Sequence, residues 1–246
     1  MSHERWALVT GASRGIGRAA AIELANQGWN VAISWLRSTK AAAETEAEIT
    51  GLGGRCLSIS ANVINDRGRT DLIEKLFEVA PSVSGFVHAA ALGATGPVLE
   101  AKANRWTMAW DSHVMAFIEL TRMLRPRFTP AAGVVALSSL GTFRVGTGYG
   151  PIAASKGALE TLVRYLAVEL AEEGVNVNAV CGGPIETDSL RSLPDYSSLV
   201  TESGQRPSGR MGEPEDLAPI VAWLLDEKSR WVRGQIIVAD GGFSLV

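Results

Sequence analysis

Tyr149 lies seven residues before Lys156, and Lys156 falls early in a long segment of apolar periodicity. A phenol close to an ammonium has a defined chemistry. The cation favours phenolate, and the phenol stabilises or protonates an oxyanion made by hydride transfer. Ser138 and Ser139 follow the apolar run Val134 to Leu137 and bring hydroxyl donors to the same region. Lys156 can also hold the ribose hydroxyls of a nicotinamide cofactor. Spacing alone also allows a surface tyrosine beside an unrelated lysine, so the elements that carry these residues decide between the two.

The hydride source is written near the N-terminus. Gly11, Ser13, Arg14, Gly15, Ile16 and Gly17 follow the apolar run Trp6 to Thr10 and open a helix. Glycines at this spacing allow a tight turn and let a pyrophosphate approach the backbone at a helix N-terminus. A cofactor without a 2′-phosphate calls for an acid at the end of the second strand. The segment Ser34-Trp35-Leu36-Arg37-Ser38 has none. Arg14 and Arg37 can converge on a 2′-phosphate, which suits guanidinium geometry, and NADPH is the expected cofactor. The plain alternative is two solvated arginines. Asn62 and Val63, after the third strand, are expected at the adenine, although a simple turn asparagine fits the position too.

These residues sit at the ends of alternating strands and helices. Strands are expected at Trp6 to Thr10, Asn30 to Leu36, Cys56 to Ile59, Gly85 to Ala89, Gly133 to Leu137, Val175 to Val180 and Gln235 to Ala239. Helices are expected after the glycine turn and over 38–50, 66–79, 102–125, 151–172 and 214–226. The strands are short and uniformly apolar, as parallel strands covered on both faces are. The expected fold is α/β: a single Rossmann-type doubly wound domain over 1–246, with a seven-stranded parallel sheet and helices on both faces. Residues 189–211 are rich in Ser, Pro, Gly and charge. Following strand six, they are expected to form a mobile flap over the substrate, with Leu190, Leu193, Tyr196 and Leu199 supplying apolar contact. A decorative surface insertion is the alternative.

Composition narrows the function. A net charge of −3 without a long basic run argues against nucleic acid. Cys56 and Cys181 show no metal-ligand spacing, and no metal is expected. No run of about 18 apolar residues suggests a membrane span. The first residues lack the pattern of a signal peptide, and the expected location is the cytoplasm.

The segments Thr10 to Gly17, Ser138-Ser139, Val177 to Val180, Gly183 to Asp188, Arg210 to Asp216 and Gly234 to Gly242 together resemble the short-chain dehydrogenase/reductase family over essentially the full length. In most members the tyrosine stands four residues before the lysine, a place held here by Ile152. The Tyr149-x6-Lys156 spacing, Ser138-Ser139-Leu140-Gly141 and Arg164 to Leu170 are most similar to the bacterial NADPH-dependent enoyl-acyl carrier protein reductase III group. That resemblance implies reduction of the double bond of an enoyl thioester, carried on acyl carrier protein, by a homotetramer. Tyr149 would stabilise the enolate, Lys156 would bind the cofactor ribose, and Ser139 would occupy the family's serine position. Ala89, Gly183, Ile185 (through its backbone) and Thr187 would touch the cofactor. The departures are His88-Ala89 where an asparagine pair is usual, Asn62 for an aspartate, and Asp111 at the expected position of a helix asparagine. His88 could be a structural substitute or touch the ribose. The alternatives are an NADPH-dependent 3-oxoacyl or polyketide ketoreductase, provided Tyr149 can reach a carbonyl oxygen, and a non-catalytic nucleotide sensor or scaffold.

Overall fold

A computed structural model describes residues 4–92 and 95–246, so the reading of the first three residues lies outside it. The elements alternate. They are β1 (Trp6–Thr10), α1 (Gly15–Asn26), β2 (Asn30–Trp35), α2 (Thr39–Gly51), β3 (Cys56–Ser60), α3 (Asp66–Val79), β4 (Val83–His88), α4 (Ala103–Trp110), α5 (Ala116–Leu124), β5 (Phe128–Ser139), α6 (Gly150–Glu169), β6 (Asn176–Gly182), α7 (Asp188–Arg191), α8 (Tyr196–Gly204), α9 (Pro214–Leu225) and β7 (Ile236–Ala239). All seven strands run parallel in the order β3-β2-β1-β4-β5-β6-β7. This is the single doubly wound domain expected. The order reverses between β1 and β4, which opens a crevice beyond their C-terminal ends.

Burial explains the strand composition. Residues of β1 alternate between two apolar layers: Trp6 and Leu8 face the core under α3, α5 and α6, while Ala7 and Val9 face the core under α1 and α9. With both faces covered, no residue of the strand needs to be polar until Thr10, where the strand meets the crevice.

One expectation needs correction. Residues 102–125 do not form one regular helix. A π-helical turn, Asp111–Met115, separates α4 from α5. Such turns add one residue and swing the following side chains off their expected face. Segment 189–211 carries α7 and α8. Glu202 on α8 is clamped by Arg144 and Arg206, and both guanidiniums stack on the Phe243 ring. The segment is thus tied to the loop after β5 and to the C-terminal residues. Of its apolar side chains, Leu190, Leu193 and Leu199 face the cavity described below. Tyr196 is turned instead to the Glu186 carboxylate, to which its hydroxyl donates at 2.9 Å.

Candidate active site

The crevice holds a cavity of about 660 Å³. It collects every residue singled out above for the cofactor: Gly11, Ser13, Arg14, Gly15, Ile16, Gly17, Arg37, Asn62, Val63, Ala89, Lys156, Gly183, Ile185 and Thr187. Ser139 and Tyr149 line the same space.

The glycine turn fits a pyrophosphate by shape and by polarity. A Cβ at Gly17 would lie 2.5 Å from the carbonyl oxygen of Gly11, so only glycine lets α1 start this close to β1. Arg14, at the N-cap, makes no side-chain cap, and the first amides of α1 remain available to an anion. Thr187 stands over Gly15, its methyl group 3.3 Å from where a Cβ would be. Arg37 is exposed just beyond the C-terminal end of β2. Arg14 pairs with Asp188 at 3.2 Å, across the mouth of the turn. It must release that carboxylate before it can serve a 2′-phosphate.

Tyr149 reaches the reactive end despite its early position. Gly148, at φ +65°, turns the chain into α6, and Pro151 in the first turn fixes the helix start. The ring then lies against Gly141, and its hydroxyl meets Ser139 Oγ at 3.2 Å. Ser139 Oγ also accepts from the Gly141 N–H at 3.2 Å. Its own proton is therefore free for the phenol or for a bound oxygen. Ile152 is buried in the place the family usually gives to tyrosine. Ser138, the other serine considered, donates to Glu160 at 2.6 Å and does not join the pair.

The electrostatics correct one expectation. Lys156 does not hold Tyr149 as phenolate. The low-dielectric wall pushes the phenol above its ordinary value, while the bond to Ser139 opposes this and Asp195 adds to it. The phenol therefore carries its proton at neutral pH. Lys156 is buried and donates to Leu137 O at 2.6 Å. Burial lowers its pKa to about 8, with Cys181 and Glu160 working against the shift. It remains largely cationic at pH 7.

Gly141 gives a direct test of this geometry. A Cβ there would stand 2.6 Å from two carbons of the Tyr149 ring. Gly141→Ala is expected to displace the phenol by about 1 Å and lower kcat by roughly 10²-fold, with the melting temperature little changed. Turnover equal to that of the unaltered protein would show that the ring has room to spare.

Of the two remaining polar positions, Asp111 departs from expectation and His88 takes the structural alternative. Asp111 does not line the cavity, whereas Ser112 and His113 of the π turn do. His88 is fully buried and structural. Thr10 Oγ1 meets its Nδ1 at 3.1 Å, and its Nε2 meets Ser112 O at 2.9 Å. Thr10 Oγ1 also accepts the amides of Ala89 and Ala90. One network thus pins the cofactor loop after β4 to the π turn. Sequence reasoning passed over His113, although a signal was present. The residue lies on the stripe Ala109, Ala116, Phe117, Leu120 and Leu124, where a histidine is out of place unless it has a partner.

Among the described residues, no helix is long and apolar enough to cross a membrane, and no three potential ligands gather for a metal. The family model described as enoyl-(acyl carrier protein) reductase matches residues 11–244. The 1-cyclohexenylcarbonyl-CoA reductase of Streptomyces collinus is 32% identical over 242 residues, covering 97% of this chain and 86% of its own. The 3-oxoacyl-acyl carrier protein reductase FabG of Staphylococcus epidermidis is 31% identical over 239 residues, covering 96% and 97%. The solved structure of the angucycline C-6 ketoreductase LanV, with bound NADP, superposes with a TM-score of 0.91 at 28% identity, covering 98% of this chain and 96% of LanV. The narrower likeness to enoyl-acyl carrier protein reductase III has no counterpart in these relatives. What they share with this chain runs from the glycine turn to the last strand: it belongs to the short-chain dehydrogenase/reductase family.

Proposed function

We propose that this protein uses NADPH to reduce a carbonyl group, with Tyr149 and Ser139 receiving the oxygen and Lys156 holding the cofactor ribose. The observation that carries the reading is the Ser139 Oγ to Tyr149 Oη contact of 3.2 Å. It meets the condition a ketoreductase sets, since the displaced tyrosine still reaches the serine. Two hydroxyl donors converge on one position, and the tyrosine keeps a proton to give. When bound, NADPH supplies the hydride. As charge grows on the substrate oxygen, Ser139 donates a hydrogen bond and Tyr149 transfers its proton, leaving an alcohol. Lys156 stays cationic at neutral pH and stabilises the tyrosinate that results. The FabG relative and the LanV structure support this reading over the enoyl one.

Reduction of a conjugated enoyl thioester is the second reading. It has the Streptomyces collinus relative and the Tyr149-x6-Lys156 spacing in its favour. The same two donors would then hold a thioester oxygen while the hydride went to the β-carbon. Attachment of substrate to acyl carrier protein belongs with either reading. Rates of NADPH oxidation with acetoacetyl and crotonyl thioesters separate them. The expected result is turnover of the 3-oxo compound at a rate at least tenfold higher, and reduction of the crotonyl compound alone would overturn the carbonyl reading. NADPH is expected to bind about tenfold or more tightly than NADH, the scale of a charge-assisted hydrogen bond at Arg37 or Arg14. Equal affinity would remove the 2′-phosphate from the proposal.

The proposed assembly is a homotetramer, with the substrate loop 189–211 opening and closing within each copy. Trp110 on α4 and Tyr165 and Val168 on the neighbouring α6 are large apolar side chains left exposed. Trp223 and Val238 are exposed on α9 and β7. Faces of this kind pair isologously about two-fold axes. Sedimentation of a monomer at micromolar concentration would contradict the assignment. The proposed location is cytoplasmic.

A further inference from the structure

Glu160 stands one turn after Lys156 on α6 and does not line the cavity. It is half-buried, and its carboxylate is engaged by two hydroxyls. Ser138 Oγ donates to Oε1 at 2.6 Å, the short distance of a hydroxyl on a carboxylate. Thr142 Oγ1 lies 3.1 Å from the same oxygen and 3.1 Å from Ser139 O, and shares its one proton between them. Arg164, one turn further along α6, donates to the backbone carbonyl of Glu160 and leaves the carboxylate to the hydroxyls.

The two hydroxyls bracket Ser139. Ser138 precedes it at the end of β5, and Thr142 closes the single turn Leu140–Thr142 that follows it. The sheet holds β5 as far as Ser139, which pairs with Gly182. There the chain leaves the ladder, and the Glu160 contacts begin. The helix that supplies Glu160 also carries Lys156, and Tyr149 stands at its N-cap. One carboxylate therefore ties the serine to the helix that bears its two partners. The fit has little slack. A Cβ at Gly141, inside the turn, would lie 2.6 Å from the Tyr149 ring, and Ser139 Oγ meets the phenol at 3.2 Å. Movement of the turn away from α6 would open this contact and undo the convergence of the two donors.

We propose that Glu160 is a positioning residue, whose carboxylate holds Ser139 against Tyr149 by gripping the hydroxyls on either side of that serine. The inference rests on the reading of Ser139 and Tyr149 as donors to the substrate oxygen and is independent of which double bond is reduced.

A cycle of variants of the intact protein tests it, read as kcat with the better of the acetoacetyl and crotonyl thioesters and as NADPH affinity. Glu160→Leu removes the acceptor. It should lower kcat about tenfold, the scale of a misplacement of about half an ångström, with NADPH affinity unchanged. Glu160→Gln keeps a carbonyl oxygen for both hydroxyls and should restore kcat to within about twofold. Ser139→Ala should itself be slow. Adding Glu160→Leu to it should lower kcat by less than about twofold more, since no serine hydroxyl remains to be placed. If Glu160→Leu folds poorly, Ser138→Ala combined with Thr142→Val removes the same two contacts and takes its place in the cycle. A loss that recurs in full without the Ser139 hydroxyl would show a merely structural carboxylate and overturn the inference. Full turnover of Glu160→Leu, or a Glu160→Gln protein as slow as Glu160→Leu, would overturn it too. In each of these cases a slow Ser139→Ala leaves the donor reading standing. If Ser139→Ala keeps full turnover, that reading fails and the inference falls with it.

Discussion

Tyr149→Phe is expected to lower turnover by about 10²-fold or more while leaving NADPH affinity and melting temperature nearly unchanged. The scale is that of losing one donor to a developing oxyanion, here joined by loss of the proton itself. The ring would stay, packed against Gly141, so little of the cavity wall changes. Ser139 Oγ would remain, still accepting from Gly141 N–H, and would sustain a residual rate. Steady-state kinetics with the better thioester and nicotinamide fluorescence for binding would show the split. Near-normal turnover would place the acid elsewhere in the cavity. A variant that lost cofactor binding instead would assign Tyr149 a binding role.

The second large effect is on stability in mild acid. His88 and His113 are both buried neutral. Burial lowers the His88 pKa to about 3, helped by the charge of Lys156 and opposed by the bond to Ser112 O. Burial likewise holds His113 well below the ordinary histidine value, followed by the charges of Lys156 and His88. In the unfolded chain each histidine takes up a proton near pH 6.5. The folded chain does not follow until far lower pH. Stability from these groups is thus fully present above pH 6.5 and falls as pH drops below it. The slope approaches about 1 kcal/mol per pH unit for each histidine, and about twice that for the pair. Between pH 6.5 and 4.5 this amounts to several kcal/mol, a large share of the margin of a typical domain. Most carboxylates have yet to protonate in that window, so the histidines dominate it. Thermal unfolding from pH 4.5 to 7.5 should show the decline, and His88→Gln and His113→Gln should each flatten it. A melting temperature indifferent to pH over this range would mean that both rings titrate in the folded state.

The alternation of strands and helices was legible in the residues because each signal is local. The apolar runs of β1 and β2, the turn beginning at Gly11 and the proline at the start of α9 each depend on a few neighbours. The positions proposed for the cofactor rest on signals just as local, the glycine spacing and the missing acid at Arg37, and all of them line the one cavity. What stayed hidden depends on contacts made across the chain. The π turn is invisible to a helical period, and the residues that line the cavity there are Ser112 and His113 rather than Asp111. The partner of Arg14 is Asp188, 174 residues away. The direction of the phenol's shift was hidden as well, because proximity in sequence to Lys156 suggests a cation that would lower it. Burial in the folded wall is the larger influence, and it acts in the opposite direction.

The choice between carbonyl and conjugated double bond is tested most directly by where the hydride lands. An α,β-unsaturated ketone offers both acceptors in one molecule, one on the carbon bearing the oxygen and the other two atoms away. Turnover with NADPH deuterated at both C4 positions marks the destination, and the product is read by deuterium NMR. Deuterium on the carbinol carbon of an allylic alcohol is the result expected of a protonated Tyr149 paired with Ser139 on the carbonyl oxygen. Deuterium on the β-carbon of a saturated ketone would contradict it and establish the enoyl reading in its place.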